Sequence, residues 1–398
     1  MNALRTALVA STLALSTVSP ALADAPRSFD AKLPRPFAMS MRGVTSSEAW
    51  VAMTTRTGPD IEEGVVDLQT GCVVETIPRF FAVARLRNAH NANEAEALMA
   101  DPAVRMDVAR FVTAGRRFGR THLGFGTIAD DDVAFSNDGQ TIVVEAGEAA
   151  FRSHDGGKTF DRLDANMSRF PAVTADGKWV FYERCADASR FGRSCPDASR
   201  EVRIVASDNS SPPKRVAIGS GLLRGMDPSG QKLVVVRYDL PNEVTAMHVD
   251  PRAGTMTRAF GIASAPLRSN RFHDIEPSPK GSFGLFDDND KAPMSVFTVA
   301  SMTAGRIVQQ FSVRNEMGAE TDDESGRLMW QTYPDDHAWA RRPGGSIVDL
   351  GMGDPIGWAT GGRAIVFAAT YGRGARVEEP AAPLGAVACK LVRVTSVR

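Results

Sequence analysis

Asp287-Asp-Asn-Asp290 packs three carboxylates into four residues, directly after the apolar run Phe283–Phe286. Hard oxygen donors gathered on a loop suit Ca2+, so Asp287, Asp288 and Asp290 are the metal candidates. The spacing is not that of an EF-hand, because no Gly or bidentate Glu sits at the required offsets. A solvated loop is the plainer reading. Asp130-Asp-Asp132 repeats the pattern more weakly, and Asp322-Asp-Glu324 reads as the turn before Gly326. No cofactor other than Ca2+ is suggested.

A second set could move protons or grip an anion. Arg271, His273 and Asp274 precede one short apolar run, while Tyr333, Asp335 and His337 follow another, as do Arg237 and Tyr238. If these run ends share one face, they form a mixed mouth suited to a small polar or anionic ligand. A His beside a carboxylate could act as an acid–base pair or join a metal site. Against this, the chain has six histidines and none has H-x-H or H-E-x-x-H spacing. A hydrogen bond that steadies a strand end is the plainer role for such a pair. The sequence has no G-x-S-x-G nucleophile elbow, and no residue is assigned as catalytic.

The elements that would position these groups are repeated. Asp176-Gly177 separates Phe170–Val173 from the β-prone run Trp179–Tyr182, a hairpin signal in which both turn residues are expected at positive φ. Related turns precede Thr141–Val144, Leu233–Val236, Phe283–Phe286, Leu328–Trp330 and Ala364–Phe367, and Ser46–Met53 is a degraded first copy. The turn glycines 139, 177, 230, 281, 326 and 362 are 38, 53, 51, 45 and 36 residues apart. That is the range of a four-stranded propeller blade, roughly 40–50 residues. The expectation is an all-β, seven-bladed β-propeller, with six or eight blades also compatible. Between the first two copies, Ala95, Leu98, Met99, Val104, Met106, Val108, Ala109 and Val112 recur at helical spacing, giving a short helical insertion at about 91–115, as one amphipathic helix or two broken at Pro102. Arg116, Arg117 and Arg120 follow it, as basic residues do at a helix C-terminus. They are also a candidate anion or partner site.

The chain has 398 residues and a formal net charge of −1, which argues against nucleic acid or an anionic membrane as partner. Met1–Arg5, the apolar Thr6–Val18 and Ala21-Leu-Ala23 follow the order of a secretory signal peptide, 1–23. No later stretch is long and apolar enough to span a bilayer. Residues 24–42 read as a lead-in that closes the ring, and 43–398 as the propeller domain. Export permits disulfides. Cys185 and Cys195 enclose a polar loop, which leaves Cys72 to pair with Cys389. Four free thiols are the alternative.

Phe170-Pro-Ala-Val-Thr-Ala-Asp-Gly-Lys-Trp-Val-Phe181 and His273–Phe286 resemble the P-x-x-S-P-D-G-x-x-I-x-F element of the WD40-like propeller repeats of the TolB family. The other copies keep only the turn and the apolar strand. The resemblance spans roughly 43–395 and implies architecture, in a family that includes periplasmic scaffolds binding partner proteins. Ser153-His-Asp-Gly-Gly-Lys-Thr-Phe160 resembles the Asp-box of sialidase-like propellers, a structural hairpin in which Asp155 accepts hydrogen bonds. The arginine triad and Tyr–Glu pair of a sialidase cannot be assigned.

The resulting expectation is an exported, periplasmic or secreted, non-catalytic binding or scaffold protein of a bacterial envelope. Its partner would be a protein, or a small polar ligand at the channel mouth. The alternative is a propeller hydrolase or lyase acting on a sugar or lactone, with Ca2+ as a candidate cofactor.

Overall fold

The computed structural model describes residues 38–54, 61–77, 85–86, 88–119, 133–164, 169–186, 195–240, 243–263, 275–278, 282–291, 294–314, 316–332, 335–367 and 392–397. Among them the strands form seven antiparallel sheets, six of four strands and one of three. The first is β1 Ala38–Val44, β2 Glu48–Thr54, β3 Ile61–Asp67 and β4 Val73–Ile77. The second is β5 Val133–Phe135, β6 Ile142–Ala146, β7 Ala149–Ser153 and β8 Asp161–Asp164. The third is β9 Arg169–Val173, β10 Trp179–Cys185, β11 Arg200–Ala206 and β12 Lys214–Ala217. The fourth is β13 Leu222–Met226, β14 Leu233–Leu240, β15 Glu243–Asp250 and β16 Thr255–Ala263. The fifth is β17 Ile275–Pro277, β18 Phe283–Lys291, β19 Met294–Ser301 and β20 Arg306–Arg314. The sixth is β21 Glu316–Thr321, β22 Leu328–Thr332, β23 His337–Arg341 and β24 Ile347–Met352, and the last is β25 Asp354–Ala359, β26 Arg363–Phe367 and β27 Val392–Ser396.

Each sheet is a meander in chain order, and successive sheets meet through their first strands: β5 and β9, β9 and β13, β13 and β17, β21 and β25. β1 lies against β25, so the last sheet returns to the first. The chain is a β-propeller, as its repeats lead one to expect. A single sheet exposes two apolar faces; packing on both neighbours buries them, which makes the circular arrangement self-consistent.

The repeated turn is built identically at Ser136, Thr174 and Asp227. In each, the backbone N–H of the first residue bonds the carbonyl five residues on, and its side-chain oxygen accepts from that residue's N–H. At Ser136 and Thr174 an Asp two residues on accepts from the residue after Gly. Only the glycines take positive φ, at 72° for Gly139, 70° for Gly177 and 66° for Gly230. This corrects the expected turn: Asp138 and Asp176 stay right-handed, because their side chains cap the turn locally, and Gly alone supplies the left-handed step.

These turns interlock around one face, the turn face. Asn137 N–H donates to Ala175 O at 3.0 Å and Ala175 N–H to Gly230 O at 2.7 Å. Ser278 Oγ donates to Asp323 Oδ1 at 2.5 Å, Gly361 N–H to Glu324 Oε1 at 2.6 Å, and Arg363 reaches Ser46 O at 2.5 Å.

The helices α1 Ala92–Ala100 and α2 Pro102–Arg117 are wedged between the first and second sheets. Asn91 caps α1 through bonds from Asn93 and Glu94 N–H, and Asp101 caps α2 ahead of Pro102. Their apolar side, with Met99, Val108, Phe111 and Val112, shares one core with Trp50, Val65, Phe135 and Ile142 of the two sheets. The basic residues are also used: Arg117 bonds Glu75 at 2.8 Å and Glu48 at 3.1 Å, and Arg116 bonds Asn137 O at 3.0 Å. Arg120 lies outside the described residues.

Cys185 and Cys195 are bonded, with Cα atoms 5.7 Å apart, and staple the connection from β10 to β11. Cys72 is also in a disulfide; its expected partner Cys389 lies outside the described residues. So do the signal segment 1–23 and most of the lead-in 24–42, whose last residues begin β1. No helix among the described residues is long and apolar enough to cross a membrane.

Candidate functional site

Opposite the turns is the loop face, where second strands end, third strands begin and the chain passes to the next sheet. On the sixth sheet, β22 ends at Thr332, β23 starts at His337, β24 ends at Met352 and β25 starts at Asp354, so all four termini gather there. His337 Nε2 lies 2.6 Å from Asp349 Oδ1, and its ring stacks on Trp339 with centroids 4.7 Å apart. Trp339 Nε1 donates to Thr332 Oγ1 at 3.1 Å, and that hydroxyl donates to Asp335 Oδ1 at 2.9 Å. The Gly351 N–H and His337 hold the Asp349 carboxyl below its ordinary range. His337 and Asp335, both expected from sequence, are thus brought to one place, and each is engaged by its own sheet.

Beside them Asp354 is half-buried. Burial pushes its carboxyl up, against the lowering effect of a 2.5 Å bond from Gln331 Nε2, and the nearby charge of Asp336 adds to the rise. Asp336 itself has φ of 49°, and its carbonyl accepts from Gly353 N–H at 2.8 Å. A non-glycine residue there stores local backbone strain.

The third sheet carries a larger polar network at the same face, beneath the stapled loop. Arg200 grips Glu183 with two bonds of 2.8 and 2.9 Å. Burial works against the Arg200 charge, but the Glu183 bonds outweigh it and raise its affinity for the proton. Arg184 sits 2.9 Å from Asp164 and 3.1 Å from Glu201, and Arg203 is 2.9 Å from the same Glu201 oxygen. The Tyr182 hydroxyl reaches Asp164 at 3.4 Å, and its proton is held tightly, first by burial and then by that carboxylate. Bidentate Arg–carboxylate geometry fixes orientation as well as charge. The network ties the end of β8 to β10 and β11, next to the Cys185–Cys195 disulfide.

Sequence reasoning missed Tyr182, Glu183, Arg184, Arg200, Glu201 and Arg203. The available signal was the alternation of charge in Glu183-Arg184 and Arg200-Glu201-Val202-Arg203 on both sides of the cysteines. Of the expected site residues, Arg271, His273, Asp274 and Tyr333 lie outside the described residues. Arg237 is in β14, away from the sixth sheet's cluster. The backbone of Asp287–Asp290 runs within β18, where Asp287 pairs with Phe297 and Asp288 with Val296, so these residues are on a strand and not on the expected loop. Among the described residues no group of three or more His, Cys, Asp or Glu could hold a metal ion.

The turn at Ser153 is closed by its own side chains. Ser153 Oγ donates to Asp155 Oδ1 at 2.8 Å, and Asp155 accepts from Lys158 N–H, Thr159 N–H and Thr159 Oγ1. Burial alone would raise the Asp155 carboxyl; the Thr159, Ser153 and Lys158 bonds override it and bring it to about 2. Phe160 packs against the core shared with the helices.

No family model matches the chain, and neither does any curated protein. Among solved structures it is similar to a putative TolB from Agrobacterium tumefaciens, at 14% identity over 55% of this chain and 79% of that one, with a TM-score of 0.33. It is similar to dipeptidyl peptidase 4 from Porphyromonas gingivalis at 12% identity, over 83% of this chain and 56% of that one, with a TM-score of 0.49. The β-propeller domain of the Trilobed protease from Pyrococcus furiosus matches at 10% identity, over 50% and 62%, with a TM-score of 0.33. At these values the likenesses carry nothing about activity, and the propeller architecture stands on the sheets themselves.

Proposed function

We propose that this chain is an exported, non-catalytic propeller that holds a protein partner on its loop face, around the stapled loop of the third sheet. The supporting observation is how the charged network is used. Arg184, Arg200 and Arg203 and their carboxylates are mutually neutralised and mostly buried at the base of a covalently closed loop. Such an arrangement fixes the strand ends on either side of the disulfide and leaves little free charge for chemistry. His337 and Asp335 have the same character, each committed to a bond that steadies its sheet. Neither a cofactor nor nucleic acid has a role in this reading.

The test is photo-crosslinking in a producing bacterium, from one probe on the loop face at Asp197 and one on the turn face at Lys178. Adducts of discrete mass from Asp197 and none from Lys178 are expected. Equal or absent adducts from both positions would overturn the reading. So would turnover of a sugar or a lactone by the purified chain that is lost in His337→Ala.

A further inference from the structure

We propose that the seam between the third and fourth sheets, at the loop face, binds a carboxylate. The inference rests on the reading above only for the source of that group, a segment of the protein partner. Register fixes which side chains face the seam. Phe181, Glu183 and Cys185 on β10 pair with Ile204, Val202 and Arg200 on β11. Of these, Phe181, Val202 and Ile204 pack against Leu223, Val235 and Val249 of the fourth sheet. Glu183, Cys185 and Arg200 share that face at its loop-face end, because side chains two residues apart point the same way. On the fourth sheet Val235 pairs with Met247 and Arg237 with Thr245, and Val235 and Met247 belong to the same core. Arg237 and Thr245 therefore face the third sheet, as the next pair towards the loop face.

The link from β12 to β13 crosses between the two sets. Ile218 N–H donates to Arg200 O at 3.1 Å, and Gly221 N–H donates to Ile218 O at 2.9 Å. A Cβ on Gly221 would come within 2.7 Å of Val235 Cγ1 and 3.4 Å of Arg237 Cγ, so the link lies close on β14. Hydrogen-bonding capacity is left over in this seam. Thr245 is 4% exposed, and its Oγ1 is buried with no hydrogen-bond partner. Ser220 Oγ, in the link, is buried and equally unpartnered. Arg200 commits Nε and Nη2 to Glu183, while Nη1 stands 3.9 Å from Asp197, beyond hydrogen-bond distance. A buried hydroxyl without a partner destabilises the fold, and a ligand that brings an acceptor recovers the loss. Two hydroxyls and a guanidinium edge match a carboxylate, which offers two oxygens with about four lone-pair sites and accepts only. Its charge strengthens each bond it accepts. Glu183, the carboxylate already on this face, has both oxygens turned to Arg200. Cys185 shares the face, which sets the docking region proposed above beside the seam.

Thermal melting of the purified exported chain tests this. The probes are sodium acetate, N-acetyl-glycyl-alanine and the C-terminal amide of that peptide, with sodium chloride at matched ionic strength as control. A saturable rise in melting temperature is expected with acetate and the peptide acid, and none with the amide or chloride. Tighter binding of the peptide acid than of acetate assigns the seam to a polypeptide carboxylate; equal binding assigns it to a free organic acid. Thr245→Val keeps the side chain's shape without its hydroxyl, and Ser220→Ala takes away the other. Each should weaken acid binding about tenfold. With no probe present, Thr245→Val should melt no lower than the parent, because the lost hydroxyl has no partner. A lower melting point would mean that an internal water already serves Thr245, and would overturn the inference. So would acid binding that both variants leave unchanged, or an amide that shifts melting as far as the acid. The two readings fail separately. Acid binding without adducts from Asp197 removes the protein partner and keeps the site, whereas adducts without acid binding remove the site alone.

Discussion

The hydroxyl of Thr141 donates to the carbonyl of Gly177 at 2.9 Å, joining the second sheet to the turn of the third. Thr141 is buried, and a Cβ on Gly177 would come within 2.9 Å of its Oγ1 and 3.1 Å of Ser136 Cβ. The glycine is required twice, by its φ of 70° and by its neighbour.

Thr141→Val keeps the shape and removes the donor, leaving a buried carbonyl short of a partner. The expected loss is about 1–2 kcal/mol. Gly177→Ala meets both the left-handed penalty, about 1–2 kcal/mol, and the close contact, so it should cost more than Thr141→Val. Urea unfolding of both variants, compared at equal slope, checks the order. If Gly177→Ala proves the milder change, the turns do not interlock as described.

The turns were legible because their causes are local. Gly139, Gly177 and Gly230 sit at turns, and short unbroken apolar runs mark the strands that follow. The bonds between turns, such as Asn137 to Ala175, were not legible, since they join residues far apart in sequence through backbone atoms that any residue carries. The same holds for Arg184, whose partners Asp164 and Glu201 come from two other strands. Asp287–Asp290 misled for a different reason. The apolar pattern stops at Phe286, but ladder bonds to β19 need only backbone, so the strand runs on through polar residues.

The helices were legible as helices and ambiguous as a surface. Phe111 is buried against Trp50, with ring centroids 5.5 Å apart, whereas Met106 on the other side of α2 is 61% exposed. Phe111→Ala should cost about 3–5 kcal/mol, and Met106→Lys should be within about 0.5 kcal/mol of the parent. Thermal melting of both variants checks this. Equal, small effects would mean that the wedge is not part of the core and would return the helices to the list of docking surfaces.

Asp155 gives a pH signature. Its carboxyl is depressed to about 2 in the folded chain, against about 3.9 when unfolded. A depressed carboxyl contributes stability that is present above the unfolded value and lost as pH falls through the folded one. Asp155→Ala should therefore be less stable than the parent at pH 6, and the gap should narrow from about pH 4 down to about pH 2. Urea midpoints across that range measure it. A gap that stays constant would mean that packing, not ionisation, is what the substitution removes.

Asp354 has the opposite sign. Burial raises its carboxyl in the folded chain, so on raising pH the unfolded chain releases this proton first, from about 3.9 upwards. Stability then falls with rising pH until the folded group has also ionised, and the cost persists above that point. Asp354→Asn keeps an oxygen to accept from Gln331 Nε2 and removes the charge. The variant should match the parent below about pH 4 and be the more stable of the two at pH 7, the reverse of Asp155→Ala. If Asp354→Asn is instead destabilised at pH 7, the ionised carboxylate is wanted on the loop face, and Asp354 becomes the first position to probe for a bound cation or a substrate proton.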